Sequence, residues 1–61
     1  MQIHEYKTGA WTTFERLTPS GLYLVRLYDP AGNLQDKVRA DTYRGAREYL
    51  KAFNKIAKGK P

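Results

Sequence analysis

The polarity pattern along the chain changes character in its last third. Leu22-Tyr-Leu-Val-Arg-Leu-Tyr28 is short, rich in β-formers and apolar at both alternating sets of positions, which predicts a central strand. Trp11-Thr-Thr-Phe-Glu-Arg-Leu17 reads as a strand before it, and Leu34-Gln-Asp-Lys-Val-Arg39, which alternates in polarity, as a strand after it. Turn chemistry separates the three. Thr18-Pro19-Ser20-Gly21 and Asp29-Pro30-Ala31-Gly32-Asn33 place proline and glycine where tight reversals need them. Loops of four and five residues make both connections hairpins.

From Thr42 onward the period lengthens to that of a helix. Tyr43, Ala46, Leu50, Phe53 and Ala57 recur at i+3/i+4 spacing, with Tyr49 and Ile56 at their flanks. Asp41 is the expected N-cap, Gly59 suits the C′ position and Pro61 cannot extend the helix. Gly45 inside the helix costs about 1 kcal/mol relative to alanine, which fits either close approach to a strand or a tolerated defect. Residues 1–9, with Gln2-Ile-His-Glu-Tyr-Lys7 ahead of Thr8-Gly9, form an N-terminal arm or a short extra strand. Residues 10–61 form one α+β domain: a three-stranded antiparallel sheet packed on one C-terminal amphipathic helix, βββα.

Pairing Tyr28 with Leu34, and Leu17 with Leu22, sorts the side chains into two faces. One holds Trp11, Thr13, Glu15, Leu17, Leu22, Leu24, Tyr28, Leu34 and Val38, enough apolar bulk to receive the helix, with an Arg26–Asp36 pair at its margin. The other holds Thr12, Phe14, Arg16, Tyr23, Val25, Leu27, Gln35, Lys37 and Arg39. A shift of one residue in register exchanges the two faces.

Composition narrows the chemistry. In 61 residues there is no cysteine, so disulfides and thiolate zinc sites are excluded. His4 is the single histidine and Ser20 the single serine, Ser20 lying in a turn signal. No glycine-rich phosphate loop is present, and Asp29, Asp36 and Asp41 fall at turn, strand and cap positions. A non-enzymatic protein without metal or cofactor is expected. No apolar run approaches the roughly 20 residues of a membrane span, and the start lacks a signal-peptide stretch. The expectation is a cytoplasmic domain with no membrane partner.

Charge adds a direction. Lys and Arg number 11 against 6 Asp and Glu, a net +5. Residues 1–36 hold three cations and four acids, whereas residues 37–61 hold eight cations and two acids, so the whole surplus lies in the last 25 residues. Such asymmetry points to a polyanion-facing surface. On the helix, Arg44, Arg47, Lys51, Lys55 and Lys58 fall within a wedge of about 80° opposite the apolar stripe. Phosphates along a nucleic-acid backbone suit such a row. A solvated helix face suits it too. On the second sheet face, Arg16, Tyr23, Gln35, Lys37 and Arg39 mix cations, an amide and an aromatic ring, the groups that read base edges and hold phosphates.

The layout of Gly9-Ala-Trp11, a β-turn, Tyr23-x-Val25-Arg26, a second turn, a polar strand and an Ala/Tyr/Leu helix resembles the arm-type DNA-binding domain of phage and transposon integrases, related in fold to the plant AP2/ERF domain. The likeness covers roughly residues 9–58 and implies a sheet laid in the major groove of DNA. Members of that family often carry more basic residues on the first two strands. Here these are Arg16 and Arg26, with Glu15 alongside, which moves the expected contacts to Lys37, Arg39 and the helix. A lesser similarity is to the βββα portion of double-stranded RNA-binding domains, matched by Arg44 and Arg47 at the start of the helix.

Two functional expectations follow. The first is a small nucleic-acid-binding protein, for duplex DNA before RNA, using Arg16, Tyr23, Gln35, Lys37 and Arg39 from the sheet and Arg44, Arg47, Lys51 and Lys55 from the helix. The second is a protein-interaction module, an inhibitor or adaptor of the kind found on phages and plasmids. It docks on an acidic partner or forms a homodimer that buries Phe14 and Tyr23.

Overall fold

The computed structural model describes residues 1–59; Lys60 and Pro61, and with them the expected helix stop at Pro61, lie outside the described residues. Strands β1 (Gln2–Glu5), β2 (Trp11–Arg16), β3 (Tyr23–Tyr28) and β4 (Leu34–Ala40) precede helix α1 (Tyr43–Lys58). The sheet has four strands, in the order β1-β2-β3-β4, each pair antiparallel. The expected three-stranded sheet therefore gains an edge strand from the N-terminal segment. Ile3 opposite Thr13 and Glu5 opposite Trp11 fix its register. The sequence gives this strand little apolar alternation, and it owes its place to the β2 edge it satisfies.

Both predicted hairpin turns form, and a third joins β1 to β2. In the β3–β4 turn the Asp29 carboxylate accepts the backbone N–H groups of Ala31 and Asn33 at 3.0 and 2.9 Å. Gly32 closes it with φ +92°, a conformation that side chains rarely adopt. In the β2–β3 turn the Thr18 hydroxyl accepts from Leu22 N at 3.1 Å. Leu17 N donates to Leu22 O, so that pairing is as expected.

The expected Tyr28–Leu34 pair also forms, but the ladder then slips. Leu27 faces Asp36 rather than Gln35, so Gln35 is an extra residue in β4 and the strand bulges. Beyond the bulge every β4 side chain changes face. Val38 stands opposite Val25, Ala40 opposite Tyr23, Lys37 opposite Arg26 and Arg39 opposite Leu24.

This decides which face receives the helix. The core consists of Ala10, Phe14, Tyr23, Val25 and Leu27 from the sheet side and Ala46, Leu50, Phe53 and Ala57 from α1, with Tyr6, Val38 and Ala40 partly buried against it. The face expected to hold the helix is instead the open one. Two forces agree on this choice. Phe14, Tyr23, Val25, Leu27, Val38 and Ala40 form one apolar patch, and a buried Val or Leu contributes about 1.5–3 kcal/mol. The opposite face has Glu15 and Arg26 near its centre, and burying these charges would cost more than their pairing returns.

The helix begins one residue later than expected. Thr42, not Asp41, is the N-cap: its side chain accepts from Gly45 N at 3.0 Å and its carbonyl accepts from Ala46 N at 3.0 Å. A Cβ on Gly45 would stand 3.0 Å from Thr42 Oγ1 and 3.9 Å from Ala40 Cβ, so this glycine serves the cap first and the approach to β4 second. Gly59 ends the helix in the left-handed conformation, as expected, and donates its N–H to Ile56 O. The Thr8 hydroxyl donates to the Ala57 carbonyl at 2.6 Å, tying the β1–β2 turn to the last helical turn. No helix among the described residues is long and apolar enough to cross a membrane.

Candidate nucleic-acid interface

Among the described residues no other element covers the face of the sheet turned away from α1, and the strand register sets its side chains in rows. Ile3, Thr13, Arg26 and Lys37 lie side by side across the four strands. Glu5, Trp11, Tyr28 and Leu34 form the row on one side of them, and Glu15, Leu24 and Arg39 the row on the other. Trp11 and Tyr28 stack with ring centroids 4.9 Å apart and planes 14° from parallel. The tip of the β3–β4 turn backs this stack, with the Cβ position of Gly32 3.7 Å from Trp11 Cη2.

The cations are arranged unusually. Arg26 and Lys37 are direct cross-strand partners, and Arg39 is one pair further along. Like charges opposite each other destabilise a sheet. Glu15 offsets part of this by accepting from Arg26 Nη2 at 3.0 Å. With the two side chains 26% and 34% exposed, the pair is partly screened by solvent. The expected Arg26–Asp36 pair does not form, because the bulge turns Asp36 to the side of Leu27. Beneath the pair, Arg26 Nε and Thr13 Oγ1 are buried without a hydrogen-bond partner among the described residues. Lys37 thus stands exposed in a row beside a flat aromatic surface.

The nine residues expected to form the site divide into three groups. Lys37 and Arg39 are exposed on the open sheet face, and Gln35 is exposed at the bulge beside them. Arg44, Arg47, Lys51 and Lys55 are exposed along the helix, on the far side of the molecule. Arg16 and Tyr23 belong to neither surface. Tyr23 is only 8% exposed and packs between Phe14 and Tyr43, with centroids at 5.6 and 5.8 Å. It offers no ring to a base. Arg16 lies over the Tyr23 ring and donates from Nε and Nη2 to the carbonyls of Thr18 and Pro19, so it braces the β2–β3 turn. The expected composite of helix and sheet cations on one surface therefore does not assemble. Nor are Phe14 and Tyr23 available to a homodimer, since α1 already covers them.

Trp11, Thr13, Leu24 and Tyr28, which the pattern places in the core, and Arg26, which it places at the margin, stand on the open face. One signal for them lies in the sequence: Glu15 and Arg26 share their parity, and a face centred on two charges makes a poor core.

A shallow cleft of about 330 Å³ opens elsewhere, lined by Met1, Gln2, Phe14, Arg16, Tyr23 and Tyr43. Its lining holds no carboxylate, thiol or imidazole. Comparison with protein-family models, curated proteins and solved structures finds no match to this chain.

Proposed function

We propose that this chain is a small non-enzymatic nucleic-acid-binding domain that takes duplex DNA on the open face of its sheet. The observation that carries the reading is the direct opposition of Arg26 and Lys37, flanked by Arg39, on a face that no other element covers among the described residues. That juxtaposition costs stability in the free protein, and an anion laid across the sheet relieves it. A twisted antiparallel sheet is among the elements that enter a major groove. In this reading Lys37 and Arg39 hold phosphates. Arg26, half-buried and held by Glu15, adds positive charge between them and the Trp11–Tyr28 stack, which supplies a flat apolar contact. The likeness to integrase arm domains and a cytoplasmic site of action accord with this reading.

Trp11 is the only tryptophan, so its fluorescence reports on the sheet face alone. Titration with a short duplex quenches it, with a midpoint that weakens steeply as salt rises. The double variant Lys37→Glu/Arg39→Glu loses the quench. An unchanged Trp11 signal at low ionic strength removes the reading.

A protein-docking role for the same face has its own observation. Met1, Ile3, Leu17 and Leu34 are exposed, and Ile3 and Leu34 stand at opposite ends of the rows described above. A partner whose binding is indifferent to salt and to Lys37 and Arg39 would favour it.

A further inference from the structure

The basic helix is too far round the molecule to serve the sheet's ligand, yet its charge is the larger of the two. Ala46, Leu50, Phe53 and Ala57 face the sheet. At about 100° per residue, Arg44, Lys51 and Lys55 therefore project directly away from it, with Arg47 and Lys58 to one side. All five are exposed, and among the described residues none forms an ion pair. Glu48 is the single acid between them. From Arg44 to Lys58 the row runs about 21 Å at 1.5 Å per residue.

Helix electrostatics alone do not account for this row. Lys55 and Lys58 lie in the last turn, where the helix dipole favours cations. Arg44 lies in the first turn, where the dipole disfavours them, and no acid is present there to offset it. The arrangement favours charge along the whole length of the helix over charge placed for helix stability. A long straight polyanion complements it.

We infer that the helix face takes a second DNA duplex, so that one chain bridges two DNA segments held on opposite sides. The inference rests on the proposed reading of the sheet face. The shortest dimension of the Cα trace is 15 Å, whereas the Debye length at physiological salt is about 8 Å. The two duplexes are thus held further apart than their repulsion reaches effectively. A bridging role makes sense of two cationic surfaces that cannot meet on one ligand.

Two readouts separate this inference from its basis. Trp11 quenching reads the sheet face on one duplex; energy transfer between donor-labelled and acceptor-labelled duplexes reads bridging. The variant Lys51→Gln/Lys55→Gln keeps the quench within about threefold and shifts the bridging midpoint upward by about tenfold, as expected for lost phosphate contacts. Lys7→Glu, in the β1–β2 turn, removes the same net charge and leaves bridging within about twofold. Quenching without energy transfer at any protein ratio overturns the bridge and leaves the sheet reading intact. Energy transfer unaffected by Lys51→Gln/Lys55→Gln overturns it in favour of two sheet-bound chains that self-associate away from their sheets. Equal loss in Lys7→Glu overturns it in favour of unspecific condensation. Absence of the Trp11 quench removes the sheet reading itself.

Discussion

The Thr12 hydroxyl donates to Asn54 Oδ1 at 2.7 Å, joining the start of β2 to the fourth turn of α1. Thr12 is fully buried, so this bond fixes the rotation and height of the helix on a face that apolar contacts alone leave free to slide. With the Thr8–Ala57 bond at the helix end, it determines the direction in which the basic row points.

Thr12→Val keeps the shape and removes the donor. It lowers stability by about 1 kcal/mol, and a double-mutant cycle with Asn54→Ala gives a coupling of about 0.5–1.5 kcal/mol. Urea melts of the four proteins check this; additive losses would show that the two side chains act independently.

Gly45→Ala departs from the usual propensity rule. A helix-interior alanine gains about 1 kcal/mol over glycine, but here the new Cβ meets the capping Thr42 hydroxyl at 3.0 Å. The substitution is within about 0.5 kcal/mol of neutral in the wild-type chain. With Thr42→Ala already present it stabilises by about 1 kcal/mol, because the crowded atom is gone. Thermal melts in the two backgrounds test the difference.

Deleting Gln35 removes the bulge and restores the simple ladder. Leu34 then joins Asp36 directly, so Val38 and Ala40 keep their places opposite Val25 and Tyr23, and Lys37 and Arg39 stay on the open face. Stability changes by about 1 kcal/mol or less, since no core residue changes face. Gln35→Ala, which keeps the extra residue, changes stability by about 0.5 kcal/mol or less. A deletion variant that fails to fold would contradict the pairing assigned beyond the bulge.

Lys37→Glu places an acid opposite Arg26. Stability rises by about 0.5 kcal/mol as repulsion becomes attraction, while duplex affinity, read by Trp11 quenching, falls about tenfold at low salt. Opposite signs for the two effects are the signature of a charge kept for binding. A variant that is both more stable and equally tight would assign Lys37 to solvent alone.

Strand and helix identity could be read locally because each depends on short-range causes. The β-rich run Leu22–Tyr28, the Asp29–Asn33 turn and the Gly59 cap act within a few residues of themselves. The period of Ala46, Leu50, Phe53 and Ala57 does likewise, and all appear where the pattern places them. The N-cap falls one position later than the pattern places it, since Asp41 and Thr42 are both capping residues and only the backbone path selects between them. The pattern does not decide between an arm and a strand for β1, because an edge strand is stabilised by its neighbour more than by its own sequence.

The amino-acid order by itself determined a small α+β domain, its hairpins, its helix and the concentration of positive charge in the last 25 residues. Only the tertiary structure decided which side of the sheet is buried and hence where that charge points. A single extra residue at Gln35 reverses the alternation of β4, sending Val38 and Ala40 inward and Lys37 and Arg39 outward beside Arg26. Side-chain alternation has a period of two, so an irregularity of one residue, invisible to composition and spacing, exchanges core and surface for everything beyond it.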